Sequence, residues 1–85
     1  MGQTTLNRVM EPYKNLSRDS GVEAYELGAD FIRVQFRSRD IYLYTYQSAG
    51  QQNVEKMKVL ALAGRGLATF ISQNESVRRG YASRE

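Results

Sequence analysis

Phe31-Ile32-Arg33-Val34-Gln35-Phe36-Arg37-Ser38-Arg39-Asp40-Ile41-Tyr42-Leu43-Tyr44-Thr45-Tyr46 is the stretch that decides the fold. Ile32, Val34 and Phe36 alternate with Arg33, Gln35 and Arg37, the pattern of a half-buried strand. Ser38-Arg39-Asp40 is turn-forming, and Ile41–Tyr46 is a second extended run rich in aromatic and β-branched residues. Tyr42, Tyr44 and Tyr46 share one face, because strand side chains alternate. Which face depends on the hairpin. If Ser38, Arg39 and Asp40 form the loop, Arg37 pairs with Ile41, and Phe36, Val34 and Ile32 stand opposite Tyr42, Tyr44 and Tyr46 in the core. A two-residue loop instead places the tyrosines beside Arg33, Gln35 and Arg37, as a stacking platform for single-stranded bases, and turns Ile41 and Leu43 inward, whereas a core-facing stripe is packing. The three-residue loop is expected, since such loops are common and tyrosines pack well against a helix.

Upstream, Val22–Leu27 reads as a further short strand, and Gly28-Ala29-Asp30 as its turn, with glycine available for positive φ. Residues 1–20 are polar with scattered apolar positions, and Pro12 interrupts any helix. They read as a flexible arm, with an edge strand as the alternative. Downstream the period changes. Ser48 with Gln51 fits a capping box, and Val54, Met57, Leu60, Ala61 and Gly64 recur at helical spacing over about residues 49–63. Gly64-Arg65-Gly66 ends that helix, as a stop or as a small backbone nest for phosphate. Leu67, Phe70 and Ile71 suggest a short second helix, and residues 75–85 a frayed basic tail. The expected architecture is therefore α+β: a three-stranded antiparallel meander, one amphipathic helix and a short second helix, with the domain spanning residues 21–74.

Composition narrows the chemistry. Eighty-five residues make one domain, and 41% hydrophobic residues suffice for a core. The chain has no Cys and no His. Ordinary zinc, iron–sulfur and haem sites and disulfides are thereby excluded, as are nucleophile–imidazole pairs. Glu23, Glu26, Asp30, Asp40 and Glu55 are scattered, so no catalytic residue, metal ligand or cofactor is expected and an enzyme is not. The longest apolar run, Val59–Ala63, is far short of a bilayer span, and the amino terminus lacks an apolar secretory stretch. No membrane partner is expected, and a cytoplasmic location is the default.

The alternating Phe31–Arg37, then Tyr42-Leu43-Tyr44 after the turn, then the apolar helix ending in Gly64-Arg65-Gly66 resemble the KTSC family over roughly residues 21–74. That small domain occurs at the carboxyl end of some lysyl-tRNA synthetases and as a free-standing bacterial protein. Ser48-Ala49-Gly50 stands where the family usually has a proline entering the helix, and Leu67-Ala68-Thr69-Phe70 replaces its aromatic pair. The resemblance implies the fold and an association with RNA, with no catalytic residue and no cofactor. Together with a net charge of +3, it leads to the expectation of a non-catalytic module binding RNA or another single strand through Arg33, Arg37, Arg39, Tyr42 and Tyr44. The alternative is a protein-interaction or homodimer module using Ile41 and Leu43 on the outer sheet face.

Overall fold

The computed structural model describes residues 10–16, 18 and 20–85. Five strands form one sheet in chain order, each neighbouring pair antiparallel: β1 (Glu11–Pro12), β2 (Val22–Leu27), β3 (Phe31–Phe36), β4 (Ile41–Thr45) and β5 (Tyr81–Arg84). Between β4 and β5 come α1 (Tyr46–Ala49), α2 (Gln51–Ala63), α3 (Leu67–Gln73) and α4 (Glu75–Arg78). The α+β class is as expected, with five strands rather than three. Both additional strands come from segments that carry no alternation of their own. They form because β2 and β4 offer unpaired backbone groups along their outer edges.

The hairpin decides the faces. Phe36 N–H donates to the Asp40 carbonyl at 3.0 Å and Arg39 N–H to the Phe36 carbonyl at 2.8 Å, so the loop is Arg37-Ser38-Arg39. Val34 therefore faces Tyr42, and Ile32 faces Tyr44. The loop lies one residue earlier than expected, and every pairing shifts by two. An even shift keeps each side chain on its face, so Tyr42 and Tyr44 lie on the core side. Tyr46 does not join them. The strand ends at Thr45, whose hydroxyl accepts from Ser48 N–H at 3.0 Å while Ser48 Oγ accepts from Thr45 N–H at 2.9 Å. This capping box turns the chain into α1 at once and replaces the one expected at Ser48 and Gln51. The main helix, α2, starts behind Gly50 with no side-chain cap.

Ile32, Val34, Tyr44, Val22 and Tyr25 from the sheet bury against Val54, Met57 and Ala61 of α2, Leu67 and Ile71 of α3, and Val77 of α4. Each such aliphatic side chain contributes about 1.5–3 kcal/mol on burial. The expected arm and tail take part. Tyr13 is buried, and its hydroxyl accepts from Leu67 N–H at 3.3 Å, while Leu16 N–H donates to the Gly64 carbonyl at 2.8 Å. Residues 10–16 thus brace the break between α2 and α3; the first nine residues of the expected arm lie outside the described residues. Residues 75–85 are α4 and β5 rather than a frayed tail, held by reciprocal hydrogen bonds between Ile41 and Glu85 at 3.1 and 2.7 Å. Gly28 serves its turn without positive φ. A side chain there would overlap the Phe31 ring, which would have to turn aside.

Candidate binding cleft

The core-side face of β3, β4 and β5 is aromatic where the helices leave it. Pairing sets Tyr42 opposite Arg84 and Tyr44 opposite Tyr81. Tyr42 meets Phe36 edge-on, with centroids 5.4 Å apart, and Tyr81 edge-on at 4.8 Å, and lies nearly parallel to Tyr44 at 6.4 Å. These four rings form one wall of an open cleft of about 400 Å³, with Ile71 of α3 on the helical side and Ser38 and Arg78 as its polar lining. The volume falls within the range of small-ligand sites.

Charge collects around this wall. Arg84 Cζ lies 5.8 Å from the Tyr42 centroid, a cation–π distance. Arg78 Nη1 donates to the Ser72 carbonyl at 3.0 Å, which positions the guanidinium at the cleft. Arg37 and Arg39 flank Ser38 in the hairpin loop and are exposed. None of these four arginines has a carboxylate within 4.0 Å among the described residues. Asp40, the acid nearest in sequence, instead accepts from Ser38 Oγ at 3.0 Å. Tyr44 is only 2% exposed. Burial first, then the neighbouring phenols of Tyr42 and Tyr81, pushes its hydroxyl well above the usual tyrosine range, so it stays protonated and able to donate.

The other expected site residues are elsewhere. Arg33 is on the outer face, with Nε 3.3 Å from Glu26 Oε1, a second contact from Nη1 to Glu85 Oε2, and the Phe31 ring 6.0 Å from Cζ. Two carboxylates hold it, so little of its charge is left for a phosphate. The Glu26 contact is an ion pair and not a hydrogen bond, which leaves that buried oxygen without a hydrogen-bond partner among the described residues. Ile41 and Leu43 share the outer face and are half-buried. The structure thus brings Tyr42 and Tyr44 together with the loop carrying Arg37 and Arg39, and separates them from Arg33, Ile41 and Leu43.

Phe36, Ile71, Arg78 and Tyr81 complete the cleft, and Arg84 stands over the Tyr42 ring, without having been anticipated there. Phe36 and Ile71 read correctly as core positions, and nothing in their spacing marks a core edge. Two other groups of residues are spoken for. At Gly64-Arg65-Gly66, Gly64 N–H is taken by the Leu60 and Ala61 carbonyls and Leu67 N–H by Tyr13, so two amides that would face an anion are occupied. Lys58 binds Glu55 at 2.9 Å and the Ala29 carbonyl at 3.1 Å. Glu55 also accepts from the Tyr46 hydroxyl, which lowers its pKa, and the same bond raises that of Tyr46.

Among the described residues no cluster of three or more His, Cys, Asp or Glu is placed to hold a metal, and no helix is long and apolar enough to cross a membrane. No family model matches the chain, and no curated protein or solved structure is significantly similar to it. The likeness to KTSC domains rests on the residues quoted for it.

Proposed function

We propose that the chain is a non-catalytic binding module that seats a base of single-stranded nucleic acid, RNA foremost, in the aromatic cleft. The single observation that carries this reading is the wall of Phe36, Tyr42, Tyr44 and Tyr81 fringed by arginines with no carboxylate partner among the described residues. Every base has a π-face that stacks on an aromatic ring, and an adjacent cation attracts the phosphate that follows it. Absence of catalysis is part of the proposal. The cleft lining contains neither a carboxylate nor an imidazole, and the Tyr44 phenol is held protonated, so no general base is on offer. The likeness to KTSC domains, with their attachment to a synthetase, favours RNA as the strand, and a cytoplasmic setting belongs to the same reading.

The test is fluorescence anisotropy with a labelled single-stranded oligoribonucleotide at low salt. Micromolar binding is expected, with log Kobs falling against log salt by about 0.7 for each phosphate engaged. Tyr81→Ala removes an exposed ring and weakens binding by about 1–3 kcal/mol, the usual worth of one base stack. No binding at micromolar protein would overturn the proposal. Self-association through Ile41 and Leu43 has less support, because neighbouring side chains half-cover both. A dimer in light scattering that Leu43→Glu dissolves would favour it instead.

A further inference from the structure

The hairpin tip holds an arginine where its backbone suits glycine. Arg39 has φ 79° and closes the three-residue loop, the left-handed position of such hairpins. A side chain there brings Cβ against the following carbonyl, a cost that glycine escapes. Asn15 and Arg18 also have positive φ among the described residues; Asn15 is of a type that adopts it readily, and neither Arg18 nor Arg39 is itself part of the cleft lining. Arg39 instead adjoins Ser38, which lines the cleft, and is followed within three residues by Tyr42, which forms its aromatic wall. The register brings one more cation to this end of the sheet, because Tyr42 pairs with Arg84. The nearby acids are engaged: Asp40 with the Ser38 hydroxyl, and Glu85 with Arg33 on the opposite face. Arg37 and Arg39 in the loop and Arg84 on β5 are therefore placed by sequence and register at the hairpin end of the sheet, while Arg78 of α4 lines the cleft itself.

We infer that the hairpin tip is a phosphate subsite, and that arginine occupies position 39 despite its backbone because the strand leaving the cleft passes over it. The inference rests on the cleft reading and adds a direction to it. A base sits against Tyr42 and Tyr81, one phosphate meets Arg78, and the phosphate on the other side of that base meets Arg39 with Arg37 and Arg84.

Arg39→Gly tests this with two readouts of opposite sign. Relief of the left-handed backbone raises the thermal midpoint by about 2–8 °C, the gain being offset in part by the greater freedom of glycine in the unfolded chain. Loss of one phosphate contact makes the salt slope shallower by about 0.7 and weakens oligoribonucleotide binding about eightfold at 50 mM salt. Arg39→Lys keeps a cation and should keep both the parent slope and the parent midpoint. An Arg39→Gly protein that binds with the parent affinity and slope overturns the subsite and leaves the cleft reading standing. A lowered midpoint overturns the strain on which it rests. A parent protein that binds no single strand overturns both proposals together.

Discussion

Replacing Gly80 by alanine pits two opposite effects against each other, and the structure says which wins. Gly80 lies between α4 and β5, and its φ is not in the left-handed region, so alanine can adopt its backbone. On conformational grounds alone the change stabilises by about 0.4–1 kcal/mol, because it restricts the unfolded chain. The space around it reverses the sign. A Cβ at this position would stand 2.8 Å from the Ser48 carbonyl oxygen, 3.0 Å from Ala49 Cα, and closer still to the Ser76 carbonyl oxygen. Even weak C–H···O contacts keep carbon and oxygen about 3.3–3.6 Å apart. All three neighbours are backbone atoms of α1 and α4, so no side chain can rotate away. Overpacking of this kind costs about 1–3 kcal/mol, and a rigid backbone clash belongs at the top of that range. The net expectation is a destabilisation of about 2 kcal/mol, out of a total of roughly 4–13 kcal/mol for a chain this long. In thermal unfolding followed by circular dichroism, the midpoint should fall by about 8–16 °C. The loss should centre on β5, so the Glu85 amide, bonded to Ile41 at 2.7 Å, should exchange faster with solvent deuterium than the β2–β3 amides. A Gly80→Ala protein as stable as its parent would refute the close approach of α1, α4 and β5.

Arg33→Met removes a cation held by two carboxylates while keeping much of its apolar stem. With Arg33 13% and Glu26 21% exposed at their side chains, the loss should cost about 1–3 kcal/mol in urea unfolding, and the affinity for single strands should not change. Lost affinity with intact stability would return Arg33 to the binding surface. Tyr44→Phe keeps the ring and removes the buried phenol, whose folded pKa is raised. The parent's phenol contribution is fully present below the unfolded value near 10 and is lost as pH rises above it towards the folded pKa. The parent should therefore lose stability steadily above pH 10, and Tyr44→Phe should lose less over the same range. Identical alkaline profiles would contradict the burial of that hydroxyl.

The parts of the fold that were legible are those where burial imposes a period. Ile32 and Val34 on β3, and Val54, Met57 and Ala61 on α2, are buried as their spacing requires, and Tyr44 follows from parity. Parity also explains why a misplaced loop did no harm to the facing of the tyrosines. Ser38-Arg39-Asp40 and Arg37-Ser38-Arg39 are both three residues long, and moving between them shifts the pairing by an even number. The end of β4 was harder to place, because Thr45 suits a strand and a helix cap equally well. What settles it is Ser48, three residues on, whose side chain returns the hydrogen bond. The edge strands left no comparable trace. Glu11–Pro12 and Tyr81–Arg84 are two and four residues long and mostly exposed, so no alternation can develop. Their pairing is supplied by β2 and β4, which is information held by the neighbour and not by the segment itself.

The cleft was illegible for a related reason: it results from a mismatch between two layers. Five strands at 4.7–4.9 Å spacing make a sheet about 19 Å across, whereas one helix covers about 10 Å. The one long helix among the described residues, α2, lies over β3 and β4. On the β5 side the helical contact comes from α1, with four residues, and the helices beyond α2 are short, α3 with seven residues and α4 with four. At 1.5 Å per residue α4 is only about 6 Å long, too short to close the layer. The strip of sheet left beyond the helices must still shed water, and aliphatic side chains would leave it an oily trough open to association. Tyrosines meet that demand differently: their rings pack edge to face against one another, as Tyr42 does with Phe36 and Tyr81, and Tyr81 stays exposed at the rim. Stability thus accounts for the rings but not for arginines without carboxylate partners at the same edge. Arg33, which the fold does use, is clamped by Glu26 and Glu85. Arg78 and Arg84 have no such acid among the described residues, and Arg39 stands on a backbone better suited to glycine. Arg84 over the Tyr42 ring and Arg78 on the Ser72 carbonyl have contacts within the fold, but neither contact neutralises their charge, and it is that charge which the proposed anionic ligand with a flat ring would meet.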